Sequence, residues 1–224
     1  MIGSSVPLGI LPAGTANVLA TEMKLGRDPV KAARQLGEWK VQKVPVGHVT
    51  LKGGVQRHFL LMAGIGLDAH VVYNVSAALK AKTGKFAYWV AGWSLLGRRL
   101  AQFDVNVDGQ THRCSFALVS KVRNYGGDFE IARSVRLMDD QFEVVLLEGK
   151  TSFEFVRYFA GMAMGKLAGM RGVTVLRAHC VSVCGASDAR VYVQIDGEFG
   201  GHLPAELRVV PEGVRLLVPE GYGA

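Results

Sequence analysis

Cysteine is scarce: Cys114, Cys180 and Cys184 are the only three in 224 residues. Three thiols cannot make a paired framework, and no C-x-x-C occurs, so a disulfide-stapled secreted scaffold is excluded. Zinc-ligand spacing is absent too, because none of His48, His58, His70, His112, His179 and His202 stands at ligand spacing from another. Cys180 and Cys184 fall in a β-branched run where a four-residue spacing puts them on one face, and the thiols are expected to be buried and reduced. Long apolar runs are also missing. The densest, Phe86 to Gly97, has 12 residues, against the roughly 18–20 that a spanning helix needs. Met1-Ile2-Gly3-Ser4-Ser5 offers neither a basic n-region nor an apolar h-region. The expectation is a cytoplasmic protein, at most peripheral at the inner face of a membrane.

Acid is the third shortage, and it is local. Asp68 and Asp104 bracket 35 residues without a single carboxylate. The net charge of +7 lies wholly in the first half: residues 1–112 hold 13 basic and 6 acidic side chains, residues 113–224 hold 13 of each. A regional excess of this kind points to an anionic partner. The remainder is ordinary globular material, 49% hydrophobic and 20% charged, which excludes disorder and collagen-like repeats and fits one or two domains.

Val6 to Leu11 reads as a strand, Pro12 to Thr15 as a turn, and Ala16 to Met23 as a helix. Asp28-Pro29 opens a second helix to about Trp39, with Asp28 as the cap and Pro29 in the first turn. This is α/β grammar, with one strand of it present. From about Val44 the pattern changes to short β runs separated by Gly, Asn and Asp: Val44–Leu51, His58–Ala63, Asp104–Val107, Cys114–Val122, Phe142–Leu147, Val173–Val183, Val191–Ile195, Leu207–Val210 and Val214–Val218. Many short strands with turn signals predict an antiparallel β-sandwich or barrel. Helical patterns interrupt it over Asp68 to Gln102, with a break near Thr83-Gly84, and over Ser152 to Met170.

Three stretches carry chemistry. In Leu11-Pro12-Ala13-Gly14-Thr15-Ala16-Asn17, between a strand and a helix, Gly14 allows close backbone approach while Thr15 and the first helical N–H groups can hold a phosphate oxygen. Tyr192 to Glu198 makes a strand and an Asp196-Gly197-Glu198 turn with two carboxylates, one able to take a proton from a hydroxyl and its neighbour to orient it or hold Mg²⁺. Asn124-Tyr125-Gly126-Gly127 is followed by Arg136-Leu137-Met138-Asp139-Asp140-Gln141, where carboxylates and carbonyls in a turn suit a hard, oxygen-preferring cation. Singly, each also reads as a capping turn, a solvated hairpin or a polar turn.

Together with Pro7-Leu8-Gly9-Ile10 and Ala63-Gly64-Ile65-Gly66-Leu67-Asp68, these segments resemble, in order and spacing along essentially all 224 residues, the diacylglycerol kinase, sphingosine kinase and bacterial YegS-like lipid kinase family. The resemblance implies an α/β nucleotide-binding domain followed by a β-sandwich, with ATP and a lipid alcohol meeting between them. Residues 1–43 would be the end of the first domain and 44–224 the sandwich, with room for the last strand to return to the first domain. It implies that Thr15, in the turn with Gly14 and Asn17, contacts ATP. Glu198 would be the general base toward the lipid hydroxyl, supported by Asp196. Asp139 would be the side-chain ligand of a structural Mg²⁺, with the carbonyls of Arg136 and Gln141.

The sequence departs from that family at Val18, where Asp often follows the Asn, at Arg133, where Pro is usual, and at Asp140, where Gly is usual. The phosphate loop Gly-Gly-Asp-Gly-Thr is absent. It should lie a dozen or so residues before the Gly14 turn, and Met1 stands 13 residues before Gly14. The expectation is a fragment, or a start at an internal methionine, with little kinase activity of its own. Within the acid-free stretch, Phe86, Trp89, Trp93, Leu96, Leu100 and Phe103 form a helical stripe flanked by Lys80, Lys82, Lys85, Arg98 and Arg99, a pattern that fits an anionic lipid surface or a helix packed on the sandwich. Two alternatives stand beside the lipid kinase: a non-catalytic lipid- or partner-binding sandwich, and a soluble nicotinamide-nucleotide kinase of the wider superfamily. Nucleic-acid binding is disfavoured, since the cations accompany no recognisable binding motif.

Overall fold

The computed structural model describes residues 1–14, 16–67, 100–125, 129–185 and 190–222. Two short helices open it, α1 (Val18–Glu22) and α2 (Pro29–Gln35). Asp28 caps α2 as its sequence demands: its carboxylate accepts the N–H groups of Val30 and Lys31 at 2.9 and 3.1 Å, a cap of the kind worth about 1 kcal/mol. The expected Val6–Leu11 strand is reduced to one parallel bridge, Leu8 to Leu216.

The strands then build two six-stranded antiparallel sheets. The first contains β1 (Lys40–Leu51), β2 (Gln56–Phe59), β4 (Phe103–Val107), β5 (Gln110–Cys114), β11 (Cys180–Gly185) and β14 (Ala205–Val218), in the order β2-β1-β14-β11-β4-β5. The second contains β3 (Met62–Gly66), β6 (Phe116–Ser120), β9 (Phe142–Leu147), β10 (Val173–Ala178), β12 (Tyr192–Ile195) and β13 (Glu198–His202), in the order β10-β9-β6-β3-β12-β13. A small ribbon pairs β7 (Asn124–Tyr125) with β8 (Phe129–Glu130). The predicted sandwich is therefore the observed one.

Its core shows why the central strands are mostly apolar. On β6, Ala117 and Val119 face the interior shared by the two sheets, while Phe116 and Leu118 face a second cluster on the outer side. On β9, Phe142, Val144 and Leu146 point inward and Val145 and Leu147 outward. A strand buried on both faces loses the apolar-polar alternation, and the one charged residue of β9, Glu143, is buried with hydrogen-bond partners. The outer cluster is covered by Met23 beside α1 and by Phe155, Tyr158 and Met162 of the helix α3 (Ser152–Ala163). Phe59 stacks on Phe142 at 5.7 Å between ring centroids, and only glycine fits at position 47, since a Cβ there would stand 2.1 Å from the Phe59 ring.

Several predicted runs divide or merge, for reasons of topology. Val173–Val183 becomes β10 and β11 in opposite sheets, with His179 at the crossing. Cys114–Val122 divides at Ser115, and His58–Ala63 at Leu60-Leu61. Leu207–Val210 and Val214–Val218 join into β14, because residues 211–213 loop out as a bulge opposite Pro45 between the Val44–Val214 and Val46–Val210 pairs. The cysteine expectation holds at Cys114, which is buried, and fails at Cys180 and Cys184, which are exposed. Val181 and Val183 take the inward positions of β11, so the alternating cysteines must face outward. The Asp68 to Gln102 helix, its tryptophans and Lys80, Lys82 and Lys85 lie almost wholly outside the described residues.

The opening segment is tied to the sandwich. Gly3 donates to the Gly213 carbonyl at 3.2 Å, Leu8 to Arg215 at 2.8 Å, and Leu217 back to Leu8 at 2.8 Å. The largely buried Glu22 of α1 accepts the Arg123 N–H at 3.2 Å and the Tyr222 hydroxyl at 3.1 Å. Among the described residues no helix is long and apolar enough to cross a membrane.

Candidate functional site

The β12–β13 hairpin turns on Asp196 and Gly197, whose φ values are 50° and 84°. Two consecutive positive φ angles are what an Asp-Gly pair supplies most readily. The turn is held from three sides. The Asp196 carboxylate accepts the backbone N–H groups of Leu60 and Leu61 at 2.9 Å and of Met62 at 3.0 Å. The Asp196 N–H donates to the Met62 carbonyl at 2.9 Å. Gly197 donates to Oε1 of the buried Gln194 at 2.7 Å. Asp196 itself is an exposed residue, yet its carboxyl group is turned onto the 60–62 backbone. Desolvation there raises its pKa above the ordinary carboxylate value, the three N–H donors pull it down, and the charge of Glu198 pushes it up.

Glu198 stands exposed at the start of β13, with no hydrogen bond or ion pair from its side chain to any described residue. Asp196 and Glu198 thus have different tasks. Asp196 anchors the turn, and Glu198 presents to solvent a carboxylate that no described side chain engages.

In the strand-to-helix turn, the Gly14 N–H donates to Asn17 Oδ1 at 2.7 Å, and Asn17 adopts a left-handed φ of 49°. The turn is closed by its own asparagine, and Gly14 lies exposed on it. Thr15 lies outside the described residues. No hydrogen bond or ion pair among the described residues joins this turn directly to Asp196 or Glu198.

The third predicted set does come together as one turn, but with company. Asp139 donates its N–H to the Arg136 carbonyl at 2.9 Å, and its carboxylate accepts the Arg136 N–H at 3.1 Å. The same carboxylate pairs with Arg177 of β10 at 2.7 Å. The Lys121 ammonium, fully buried just past β6, donates to the Asp139 carbonyl. Burial brings the Lys121 pKa down to about 8, opposed by Asp139 and reinforced by Arg177. Gln141 accepts from Arg177 Nε at 3.3 Å and lies 3.0 Å from His179 Nε2 through its own Nε2. His179 Nδ1 lies 3.0 Å from the Asp140 carbonyl, which can only accept, so that nitrogen carries the proton.

Sequence reasoning missed Lys121, Arg177, His179, Gln194 and the Leu60–Met62 backbone. Gln194 was the most accessible of these, two residues before the Asp-Gly turn on an otherwise apolar strand. Lys121 gave no signal, since a lone lysine near the end of the predicted Cys114–Val122 strand reads as a solvated position.

Two family models match the chain. The YegS C-terminal NAD kinase beta sandwich-like domain matches residues 62–218, and the Diacylglycerol kinase catalytic domain matches residues 1–49. The chain is 25% identical over 217 residues to a diacylglycerol kinase of Bacillus subtilis (strain 168), covering 95% of this chain and 69% of the relative. It is 27% identical over 224 residues to a diacylglycerol kinase of Mycobacterium tuberculosis (strain CDC 1551 / Oshkosh), covering 98% and 71%. A crystal structure from Bacillus anthracis str. Sterne superposes with a TM-score of 0.77 at 20% identity, over 96% of this chain and 69% of that one. A second, of a diacylglycerol kinase from the same strain, superposes with a TM-score of 0.71 at 19% identity, over 94% and 68%. At such identities the superpositions establish the fold.

Proposed function

Because the chain belongs to the diacylglycerol kinase and YegS-like lipid kinase family, we propose that it transfers the γ-phosphate of ATP to the hydroxyl of a lipid, such as diacylglycerol or a sphingoid base. The observation that carries this reading is the Asp196 turn, pinned by three backbone N–H groups while leaving the Glu198 carboxylate open. Phosphoryl transfer asks little covalent help of a protein and much positioning. Glu198 takes the hydroxyl proton as that oxygen bonds to the γ-phosphorus. The bond from phosphorus to the bridging oxygen breaks, and ADP leaves with the electron pair. Asp196 is a positioning residue in this scheme.

Gly14, Thr15 and Asn17 would hold the nucleotide, since the Gly14–Asn17 bond fixes a turn whose exposed glycine admits close approach. A divalent cation bound with the nucleotide supplies neutralisation of phosphate charge. We take residues 1–43 as the end of the nucleotide-binding domain, with the second half of β14 reaching back to it through Leu8, Ser5 and Gly3. A cytoplasmic setting, with access to ATP, suits the free thiols.

The lipid has to be met at a surface, and α3 supports one. Phe155, Tyr158 and Met162 cover the sandwich, while Phe153, Val156 and Met164 stand 66%, 56% and 65% exposed on the other side. Arg157, Lys166 and Arg171 are exposed around them. Apolar side chains rimmed by cations suit an anionic bilayer. In sedimentation with phosphatidylglycerol vesicles, Phe153→Ser with Met164→Ser should release the protein. Unchanged sedimentation would remove α3 as the contact.

The function is tested by ATP-dependent labelling of diacylglycerol or sphingosine in mixed micelles, with protein purified from its native cells. Glu198→Gln should lower turnover by about 100-fold or more, the scale of a general base, with thermal stability unchanged. Near wild-type turnover would take the base role from Glu198. No labelling by the wild type would favour a non-catalytic lipid-binding sandwich.

A further inference from the structure

The Asp139 turn was expected to hold a structural Mg²⁺, and its surroundings do not fit one. Oδ2 of the Asp139 carboxylate accepts from both the Arg177 guanidinium and the Arg136 N–H. Its carbonyl is committed to the Lys121 ammonium. The Arg136 carbonyl already accepts the Asp139 N–H, and beside the Gln141 carbonyl, the other expected ligand, the Gln141 side chain brings Arg177 and His179 onto the turn. A divalent ion entering here would meet two side-chain cations that already offset the charges of Asp139 and Asp140, so like-charge repulsion opposes the attraction that normally holds it. Of the other carboxylates near this turn, Asp140 is exposed and acts on Lys121 through its charge, and one oxygen of the buried Glu143 accepts the Ser134 N–H and hydroxyl and the Val135 N–H, at 2.6–2.8 Å.

We propose that Lys121 and Arg177 take the place of a structural divalent cation, so that the 136–141 turn is neutralised and fixed by the chain's own side chains. The mechanical task is the same. A bound ion would tie the turn to the sheet through shared oxygens. Here Lys121 ties it to the end of β6, whose position is set by the Lys121 N–H to the Leu61 carbonyl at 2.8 Å. Arg177 ties it to β10 through two side chains at once, Asp139 and Gln141. His179 completes the set by holding the Asp140 carbonyl and the Gln141 amide. The Leu61 link also connects this turn to the segment whose N–H groups anchor Asp196, so the stiffness of one turn supports the other. The inference concerns folding and holds independently of the phosphoryl-transfer reading.

The test uses Mg²⁺ itself, without nucleotide, and reads thermal unfolding and calorimetry. Wild-type protein should show the same melting temperature, within about 1 °C, in 10 mM MgCl₂ and in EDTA at matched ionic strength, and no saturable heat of Mg²⁺ binding. A saturable rise of several degrees in Mg²⁺ that Asp139→Asn abolishes would overturn the proposal. Arg177→Met and Asp139→Asn should each lower the melting temperature, and the double variant should fall no further than the worse single one. Additive losses would show that Arg177 does not neutralise Asp139, and would equally overturn it. Because Arg177 is partly exposed, its variant should fold even where Lys121→Met does not.

Discussion

Removing the Asp196 carboxylate should cost this protein more stability than its exposed turn suggests. In Asp196→Ala three charge-assisted hydrogen bonds vanish. The Met62 N–H is partly buried, and losing its carboxylate partner costs about 2 kcal/mol, while the more exposed Leu60 and Leu61 N–H groups can turn to water at a loss of about 0.5 kcal/mol each. Alanine at the left-handed φ of 50° adds about 1 kcal/mol of backbone strain. The sum is about 4 kcal/mol, or roughly 10 °C in melting temperature for a chain of this size. Asp196→Gly removes the strain but not the lost bonds and should cost about 3 kcal/mol. Asp196→Asn keeps one acceptor oxygen and should cost about 1.5 kcal/mol. Urea unfolding followed by tryptophan fluorescence gives the three values, and amide exchange at Leu60, Leu61 and Met62 locates the change. An Asp196→Ala variant within about 1 kcal/mol of wild type, the spread of one ordinary hydrogen bond, would refute the anchoring role.

Further predictions rest on other residues. Native protein should react with a thiol reagent at two cysteines, Cys180 and Cys184, and denatured protein at three, because burial pushes the Cys114 thiol up to about 12. Three reactive thiols in the native state would contradict that burial. At the start of α3, Glu154 accepts the Thr151 and Lys150 N–H groups at 3.0 and 2.6 Å, and these bonds hold its pKa below the ordinary value. A depressed carboxylate stabilises the folded state above its unfolded pKa and loses that effect as pH falls through the folded one. Amides at the start of α3 should therefore exchange faster, relative to the rest of the helix, once the carboxylate is protonated. Glu154→Gln should lose that acid dependence.

Much of the fold was written locally. Asp28-Pro29 announces α2 because a capping carboxylate and a preset φ act within one turn of chain. Phe142–Leu147 announces a strand with its bounds intact because five of its six residues are apolar and fall on both faces, which only a strand buried on both sides accommodates. The Asp196-Gly197 turn is equally legible, since its positive φ angles are a property of those two residues. Pairing was not legible. That Val173–Val183 belongs to two sheets, and that β14 runs unbroken past Glu212-Gly213, depends on which strand lies opposite, and periodicity is silent on that.

The same division runs through the candidate site. Sequence by itself determined the shortage of thiols, the charge asymmetry, the sandwich, and the turns that carry Gly14, Asp139, Asp196 and Glu198. Each is fixed by composition or by neighbours a few residues apart. Tertiary structure decided what those carboxylates do, because that depends on donors brought from far along the chain. Leu60 to Met62 lie over 130 residues from Asp196 and make it the anchor of its turn. Lys121 and Arg177, 18 and 38 residues from Asp139, convert a turn with the look of a metal site into one that holds its own cations. A carboxylate's chemistry is set by the charges and N–H groups within a few ångströms of it, and only the folded chain assembles those.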